Sequence, residues 1–133
     1  MSEDFLGLFG TDAAGEGLAA GQVLFNKGDV ADRFYVVKSG ELQILDGNRV
    51  FETVGKGGIV GEMSLVDHGP RSATVRATAL SEVIPVDEKR FLFMVGQTPF
   101  FAIRVMRVMS QRLRAMNAQA AALPDHAQPQ AKA

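Results

Sequence analysis

The sequence contains no cysteine and only two histidines, His68 and His126. Without cysteine, the chain can form no disulfide, no thiolate nucleophile and no zinc or iron–sulfur site with cysteine ligands. A metal-dependent barrel enzyme of the cupin type needs clustered histidines, which this chain does not supply. Neither histidine is placed to activate a hydroxyl group for hydrolysis. These absences favour a function without catalysis and without a metal or other cofactor.

The sequence also lacks an excess of either charge and a long apolar run. Fourteen basic residues nearly balance fifteen acidic ones, for a net charge of −1, so a broad surface for a polyanion is not expected. The longest uncharged apolar stretch, residues 91–103, is interrupted by Gly96 and Pro99, and it is shorter than the roughly 20 residues of a membrane-spanning helix. The N-terminus is acidic, unlike a secretory signal. We therefore predict a cytoplasmic protein that neither binds nucleic acid nor inserts into a membrane.

A chain of 133 residues with 47% hydrophobic side chains fits one compact domain. Its first two thirds contain short β-rich runs separated by turn residues, which is typical of a β-roll or barrel. The runs are residues 23–25, 34–37, 42–45, 50–54, 72–77 and 82–86. Gly47 and Asn48 lie between two of them and predict a tight hairpin, because such turns demand positive φ angles. We divide the chain into a short N-terminal arm or helix at 1–15, one domain at 16–118 and a disordered tail at 119–133.

Helical patterns are confined to the C-terminal third of the domain. Asp87 is placed to cap a short helix that closes at Gly96. Thr98 and Pro99 predict the start of a longer helix that runs to about Asn117.

The longer helix has three distinct columns of side chains. One is apolar and contains four of the methionine and leucine side chains, and a second is cationic, with Arg104, Arg107 and Arg114. Arg112 ends a third, otherwise apolar column and lies beside the apolar stripe. From there its side chain can reach into a pocket.

Residues 56–75 are rich in glycine and contain groups suited to a small anion. Gly61 permits close backbone approach, and the following turn, 62–65, can form a short helix whose first N–H groups suit an anion. Arg71 offers paired donors to phosphate oxygens, and Glu62 is a natural acceptor for sugar hydroxyls. Taken singly, Glu62 is more often a solvated carboxylate, and Arg71 is more often part of a weak surface ion pair. Composition alone therefore leaves open a nucleotide site and a structural loop.

The same segment contains two specific motifs, Gly61-Glu62-Met63-Ser64-Leu65 and Pro70-Arg71-Ser72-Ala73-Thr74-Val75. They resemble the phosphate-binding cassette of the cyclic nucleotide-binding domain family. Residues 21–29 and 34–42 are similar to the opening strands and turns of that family. The resemblance covers roughly residues 16–117. It implies a mainly β fold, an eight-stranded antiparallel β-roll with a short cassette helix and C-terminal helices.

The resemblance also implies a ligand and the residues that bind it. Arg71 would pair with the cyclic phosphate, and Glu62 would accept a hydrogen bond from the ribose 2′-hydroxyl. Arg112 would help to close the last helix over the purine, with Met116 and Asn117 as nearby candidates. The other implied contacts with phosphate, sugar or base are Val60, Gly61, Met63, Ser64, Ser72, Ala73 and Val75. The expected ligand is cAMP, with cGMP as the alternative because Ser72 can accommodate either base.

The function implied is that of a sensor, in which the ligand shifts the C-terminal helix between two positions. No helix-turn-helix, kinase, channel or exchange-factor segment is recognisable in these residues, so no output domain is expected in them, and a DNA-binding regulator is disfavoured. The last helix offers a surface for an effector protein or for self-association. A second hypothesis is a degenerate family member that uses the roll for protein–protein contact and binds no nucleotide. Burying Arg71 without an anion would cost roughly a few kcal/mol, which argues against this hypothesis.

Overall fold

The structure, a computed structural model, describes residues 4–9 and 13–121, with side chains as far as residue 118. Within these residues the chain forms eight β-strands, three α-helices and one 3₁₀ turn at Leu6–Leu8. The strands are β1 (Glu16–Leu18), β2 (Val23–Phe25), β3 (Arg33–Ser39), β4 (Glu41–Asp46), β5 (Arg49–Gly55), β6 (Ile59–Val60), β7 (Thr74–Ala77) and β8 (Ser81–Asp87). The helices are α1 (Glu62–Asp67), α2 (Glu88–Gln97) and α3 (Phe100–Ala121).

The strands form two four-stranded sheets, with orders β1-β8-β3-β6 and β2-β7-β4-β5. All pairs are antiparallel, and the longest runs from Arg33 opposite Asp87 to Ser39 opposite Glu82. The predicted β-roll is therefore confirmed. The short strands β1 and β6 had no counterpart among the predicted runs.

Strand β3 separates two hydrophobic cores, because successive side chains of a strand point to opposite faces. Tyr35 and Val37 face the interior of the roll, where side chains from both sheets meet. Phe34 and Val36 face the opposite way and pack with residues of α1, α2 and α3. The first sheet thus supports the helices on its outer face and the roll interior on its inner face.

The predicted hairpin joins β4 to β5 through Gly47 and Asn48, with Asp46 paired opposite Arg49. Gly47 has a φ of 64°, whereas Asn48 is not in the left-handed region. The turn therefore needs positive φ at one position and not at both. Glycine supplies that angle at no steric cost.

A β-bulge follows this hairpin. Ile44 pairs with Glu52 and the next residue of β4 pairs with Val50, which leaves Phe51 without a partner. In a regular strand, Phe51 and Glu52 would point to opposite faces. The bulge allows both side chains to contact groups at the cavity described below.

The helix predictions are confirmed at their starts and extended at the C-terminus. The carboxylate of Asp87 accepts a hydrogen bond from the Arg90 amide at 2.8 Å, so it caps α2. Helix α3 begins directly after Thr98 and Pro99 and continues to Ala121, beyond the predicted end near residue 117. From residue 122 onward, the predicted tail at 119–133 lies outside the described residues. No helix within the described part of the chain is long and apolar enough to cross a membrane.

The N-terminal arm is packed against the helices where it is described. Phe5 is fully buried, and its amide donates to the Gly57 carbonyl at 2.8 Å. Its ring meets that of Phe101 on α3 edge-on, with the centroids 5.8 Å apart. Of the two predicted forms of the arm, the short helix is present as the 3₁₀ turn.

Candidate functional site

Arg71 is held at the site by its backbone on both sides. Its amide donates to the Asp29 carbonyl at 2.9 Å, and its own carbonyl accepts from the Gly28 amide at 2.8 Å. The connection between β2 and β3 therefore fixes the main chain of this residue. The side chain reaches back to α1, where Nη1 donates to the Gly61 carbonyl at 3.2 Å. Only 5% of Arg71 is exposed.

The buried guanidinium of Arg71 has no anionic partner among the described residues. Its central carbon lies 3.9 Å from the centroid of the Phe25 ring, which is a cation–π contact. No described carboxylate forms an ion pair with it, and its Nε is buried without a hydrogen-bond partner. Burial lowers the pKa of Arg71, while Tyr35 and Asp32 act in the opposite sense. A buried cation with an unused N–H group is costly unless an anion completes it.

Gly61 makes the close approach of Arg71 possible. It precedes α1 with a φ of 84°, in the left-handed region that favours glycine. A Cβ atom at this position would lie 2.5 Å from Nη1 of Arg71 and 3.3 Å from the Phe25 ring. The left-handed conformation therefore directs the chain into α1 and leaves room for the guanidinium.

Arg112, the second buried arginine, is fully paired by contrast. Its Nη1 donates to Oε1 of Glu62 at 2.7 Å, and its Nε and Nη2 donate to the two oxygens of Glu52 at 2.8 and 3.2 Å. Burial acts to lower the pKa of Arg112, but the carboxylates of Glu62 and Glu52 outweigh it and raise the pKa above its ordinary value. The side chains of Arg112 and Glu62 are 7% and 3% exposed. Removing Arg112 would leave the buried Glu62 carboxylate without its cation, whereas removing Glu62 would leave Arg112 paired with Glu52 alone.

An open cavity of about 410 Å³, a volume that includes solvent at its mouth, lies between these two arginines. It is lined by nine of the ten residues predicted from the sequence, which are Gly61, Glu62, Met63, Ser64, Arg71, Ser72, Ala73, Val75 and Arg112. The tenth, Val60, is fully buried in the roll core and does not line the cavity. Its place on the two-residue strand β6 explains this, because β6 pairs with β3 and directs Val60 into the core.

Four further residues line the cavity, Phe25, Ile44, Phe51 and Met116. Met116 was a candidate from the sequence, whereas the other three lie on strands that are distant from the cassette motifs. Glu52 was also missed, because a carboxylate in a strand next to a hairpin gives no sequence signal of pairing with a helix 60 residues away.

The arrangement can bind an anion but offers little for catalysis. Arg71 supplies a cation at one side of the cavity, and Glu62 supplies an acceptor at another. The hydroxyl of Ser64 already donates to the Pro70 carbonyl at 3.2 Å, and His68 lies exposed in the loop after α1. The described residues contain no group of three or more metal-binding side chains.

Comparison with known proteins gives a match to one family model and to several relatives. The model of the cyclic nucleotide-binding domain matches residues 16–98. The cyclic AMP receptor protein of Thermus thermophilus is 31% identical over 99 residues, which are 71% of this chain and 46% of that protein. The cGMP-dependent protein kinase of Plasmodium berghei is 34% identical over 92 residues, which are 68% of this chain and 11% of the kinase.

Among solved structures, the catabolite activator protein of Thermus thermophilus superimposes with a TM-score of 0.71 at 26% identity. The match covers 80% of this chain and 52% of that one. This chain therefore spans less than half of the length of the two curated relatives described above. The match of the family model over most of the chain, together with the shared fold, shows that the chain belongs to the cyclic nucleotide-binding domain family.

Proposed function

We propose that this chain is a cyclic nucleotide sensor without catalytic activity, and that its ligand is cAMP bound in the cavity beside Arg71. The observation that carries the proposal is the state of Arg71, a buried guanidinium with a free Nε and no described carboxylate partner. An anionic phosphodiester would compensate this charge and accept hydrogen bonds from it. The cassette residues that line the same cavity as Arg71 also support the proposal.

In the proposed complex, the guanidinium of Arg71 donates to the cyclic phosphate. Gly61, Ser72 and Ala73 lie on the same cavity wall and contact the phosphate and sugar mainly through their backbones. Glu62 accepts from the ribose 2′-hydroxyl. Its Oε1 is already paired with Arg112, which leaves its second oxygen as an acceptor.

The preference for cAMP rests on the polarity of the remaining lining. Ile44, Phe51 and Met116 present apolar surface to the cavity, which suits the face of a purine. Guanine has one more polar group at its edge than adenine, the 2-amino group, and burying this donor without a partner costs free energy. The Ser72 hydroxyl is one group that can reach a base. The relatives are divided on this point, since one is named for cAMP and the other for cGMP.

The proposed response is a shift of α3. Arg112 and Met116 on this helix line the cavity, so a ligand that contacts them favours one position of the helix over another. Ile103, Met106 and Leu113 are exposed apolar side chains of α3 that could meet an effector protein or a second copy. The proposed setting is the cytoplasm. If the amide spectrum of residues 98–117 were unchanged by saturating ligand, the helix shift would be excluded.

The decisive experiment is isothermal titration with cAMP, cGMP and 5′-AMP. The protein is first unfolded and refolded, which removes ligand carried over from the expression host. We expect saturable one-to-one binding of cAMP, weaker binding of cGMP and much weaker binding of 5′-AMP. If neither cyclic nucleotide gave heat or thermal stabilisation, the sensor proposal would be wrong, and the hypothesis of a protein–protein interaction module would replace it.

A further inference from the structure

Glu52 lies outside the cavity but is bonded to a residue that lines it. We propose that Glu52 is a positioning residue, which holds Arg112 and thereby keeps α3 and the Glu62 carboxylate in place for ligand binding. The inference rests on the proposed nucleotide site and adds to it a residue that does not touch the ligand.

The hydrogen bonds of Arg112 are unevenly divided between its two partners. Glu52 accepts two of them in a bidentate arrangement, at 2.8 and 3.2 Å, and Glu62 accepts one at 2.7 Å. A bidentate pair fixes both the position and the plane of a guanidinium, whereas a single bond fixes only one N–H direction. The orientation of Arg112 toward Glu62 is therefore set mainly by Glu52.

Arg112 also has space into which it could turn. A second cavity, of about 600 Å³ including open solvent, is lined by residues of β5 and α3, with Arg112 among them. Arg112 lines both cavities, while Glu52 lines only this second one. Without the bidentate contact, the long side chain of Arg112 could rotate toward the second cavity, and Glu62 would lose its partner.

The chain offers a mild variant that tests this role. Glu52 is 39% exposed, so Glu52→Gln can be solvated and does not bury an unpaired group. It keeps the shape of the side chain and leaves the buried pair of Arg112 and Glu62 formally neutral. The matched control is Glu41→Gln on the neighbouring strand β4, where the exposed carboxylate accepts from Thr78 instead of from α3.

The first measurement is the position of α3 without ligand. The chain has no cysteine, so Asn48→Cys in the hairpin and Ser110→Cys on α3 provide two unique sites for nitroxide labels. Both residues are exposed. We expect a narrow distance distribution in the parent and in Glu41→Gln, and a broader or longer one in Glu52→Gln. An unchanged distribution in Glu52→Gln would overturn the positioning role.

The second measurement is the affinity for cAMP and for 2′-deoxy-cAMP, which lacks the hydroxyl that Glu62 would bind. We expect Glu52→Gln to bind cAMP about tenfold more weakly than the parent, the lower end of the contribution of one charge-assisted hydrogen bond. Its affinity for 2′-deoxy-cAMP should fall less, because that ligand is also affected by the position of α3 but has no 2′-hydroxyl for Glu62 to bind. Equal losses for both ligands would indicate general damage and overturn the proposal, as would no loss for either.

The two measurements separate this proposal from the function on which it rests. If the parent bound no cyclic nucleotide, the sensor proposal would fail, and the label distances would still decide whether Glu52 positions Arg112 and α3. If the parent bound cAMP and the distances did not respond to Glu52→Gln, the sensor proposal would stand and the positioning role would be wrong.

Discussion

Replacing Arg71 by methionine separates binding from folding. Methionine keeps most of the length of the side chain and can still pack on Phe25, which the guanidinium covers at 3.9 Å. The substitution removes the positive charge and the hydrogen bond to the Gly61 carbonyl at 3.2 Å. It also removes a buried Nε–H group that has no partner. If Arg71 serves to stabilise the fold, its replacement should lower the free energy of unfolding. If Arg71 serves to bind an anion, its replacement should lower the affinity for cAMP.

The expected effects on stability and on binding have opposite signs. The cation–π contact is worth about 0.5–2 kcal/mol and is partly replaced by the packing of methionine on Phe25, and the lost hydrogen bond is worth about 1.5–3 kcal/mol. The buried charge without an ion-pair partner costs several kcal/mol, which slightly exceeds these losses. We therefore expect the free energy of unfolding without ligand to rise by about 1 kcal/mol, with a Tm higher by about 4 °C. Two charge-assisted hydrogen bonds to the phosphate contribute at least about 3 kcal/mol together, so the affinity for cAMP should fall roughly 150-fold or more.

Urea unfolding followed by circular dichroism measures the first effect, and isothermal titration measures the second. Arg76→Met on β7 is the control, because Arg76 is exposed and makes a single long contact with Gln43 at 3.5 Å. It should change neither quantity. A variant Arg71→Met that unfolded more easily than the parent and bound cAMP equally well would refute the reasoning, because Arg71 would then be a structural residue.

Three further predictions follow from other parts of the fold. Phe5→Ala should lower the free energy of unfolding by about 3 kcal/mol in urea, because Phe5 is fully buried; a loss below about 0.5 kcal/mol, as for a surface residue, would contradict the packing of the arm. Tyr35 is the only tyrosine, and burial raises its pKa, so its phenolate absorbance should appear at higher pH than for free tyrosine and at still higher pH in Arg71→Met. Because the pKa of Tyr35 is higher in the folded than in the unfolded state, the contribution of Tyr35 to stability is fully present at pH values below its unfolded-state pKa. This contribution is lost as the pH rises through its folded-state pKa. Gly61→Ala should lower the free energy of unfolding by about 1–3 kcal/mol and weaken binding, because the φ of Gly61 is 84° and the new Cβ meets Arg71. Gly17→Ala is the control, since a Cβ at Gly17 has nothing within 4 Å. Equal unfolding midpoints for the two variants would contradict this account.

The fold was largely predictable because its strands follow local rules. Alternating apolar residues and turn glycines predicted six of the strands, and Asp87 and Pro99 predicted the starts of α2 and α3. The strands β1 and β6 were missed because they have three and two residues and are defined by their partners β8 and β3. Strand β2 also has three residues, but all three are apolar, whereas β1 has one apolar side chain and β6 has only two residues.

The site was predictable where it is continuous in sequence and less so where tertiary pairing assembles it. The cassette residues are contiguous, and nine predicted residues do line one cavity. Phe25 and Glu52 enter the site from other strands, the first beneath Arg71 and the second through Arg112. A bulge at Phe51 changes the side-chain alternation of β5, and alternation from sequence cannot anticipate it.

The charges around the cavity constrain the kind of anion that fits. Arg71 and Arg112 contribute two positive charges, and Glu52 and Glu62 contribute two negative ones, both of which are paired with Arg112. The positive charge left to a ligand is therefore the single one on Arg71. A cyclic phosphodiester carries one negative charge and matches it, whereas a phosphate monoester carries about 1.5 to 2 at neutral pH. The excess charge of a monoester would face Glu62 across a buried cavity, where repulsion is weakly screened. If the sensor proposal is correct, we therefore expect the unequal pairing of the two arginines to favour cyclic over open nucleotides.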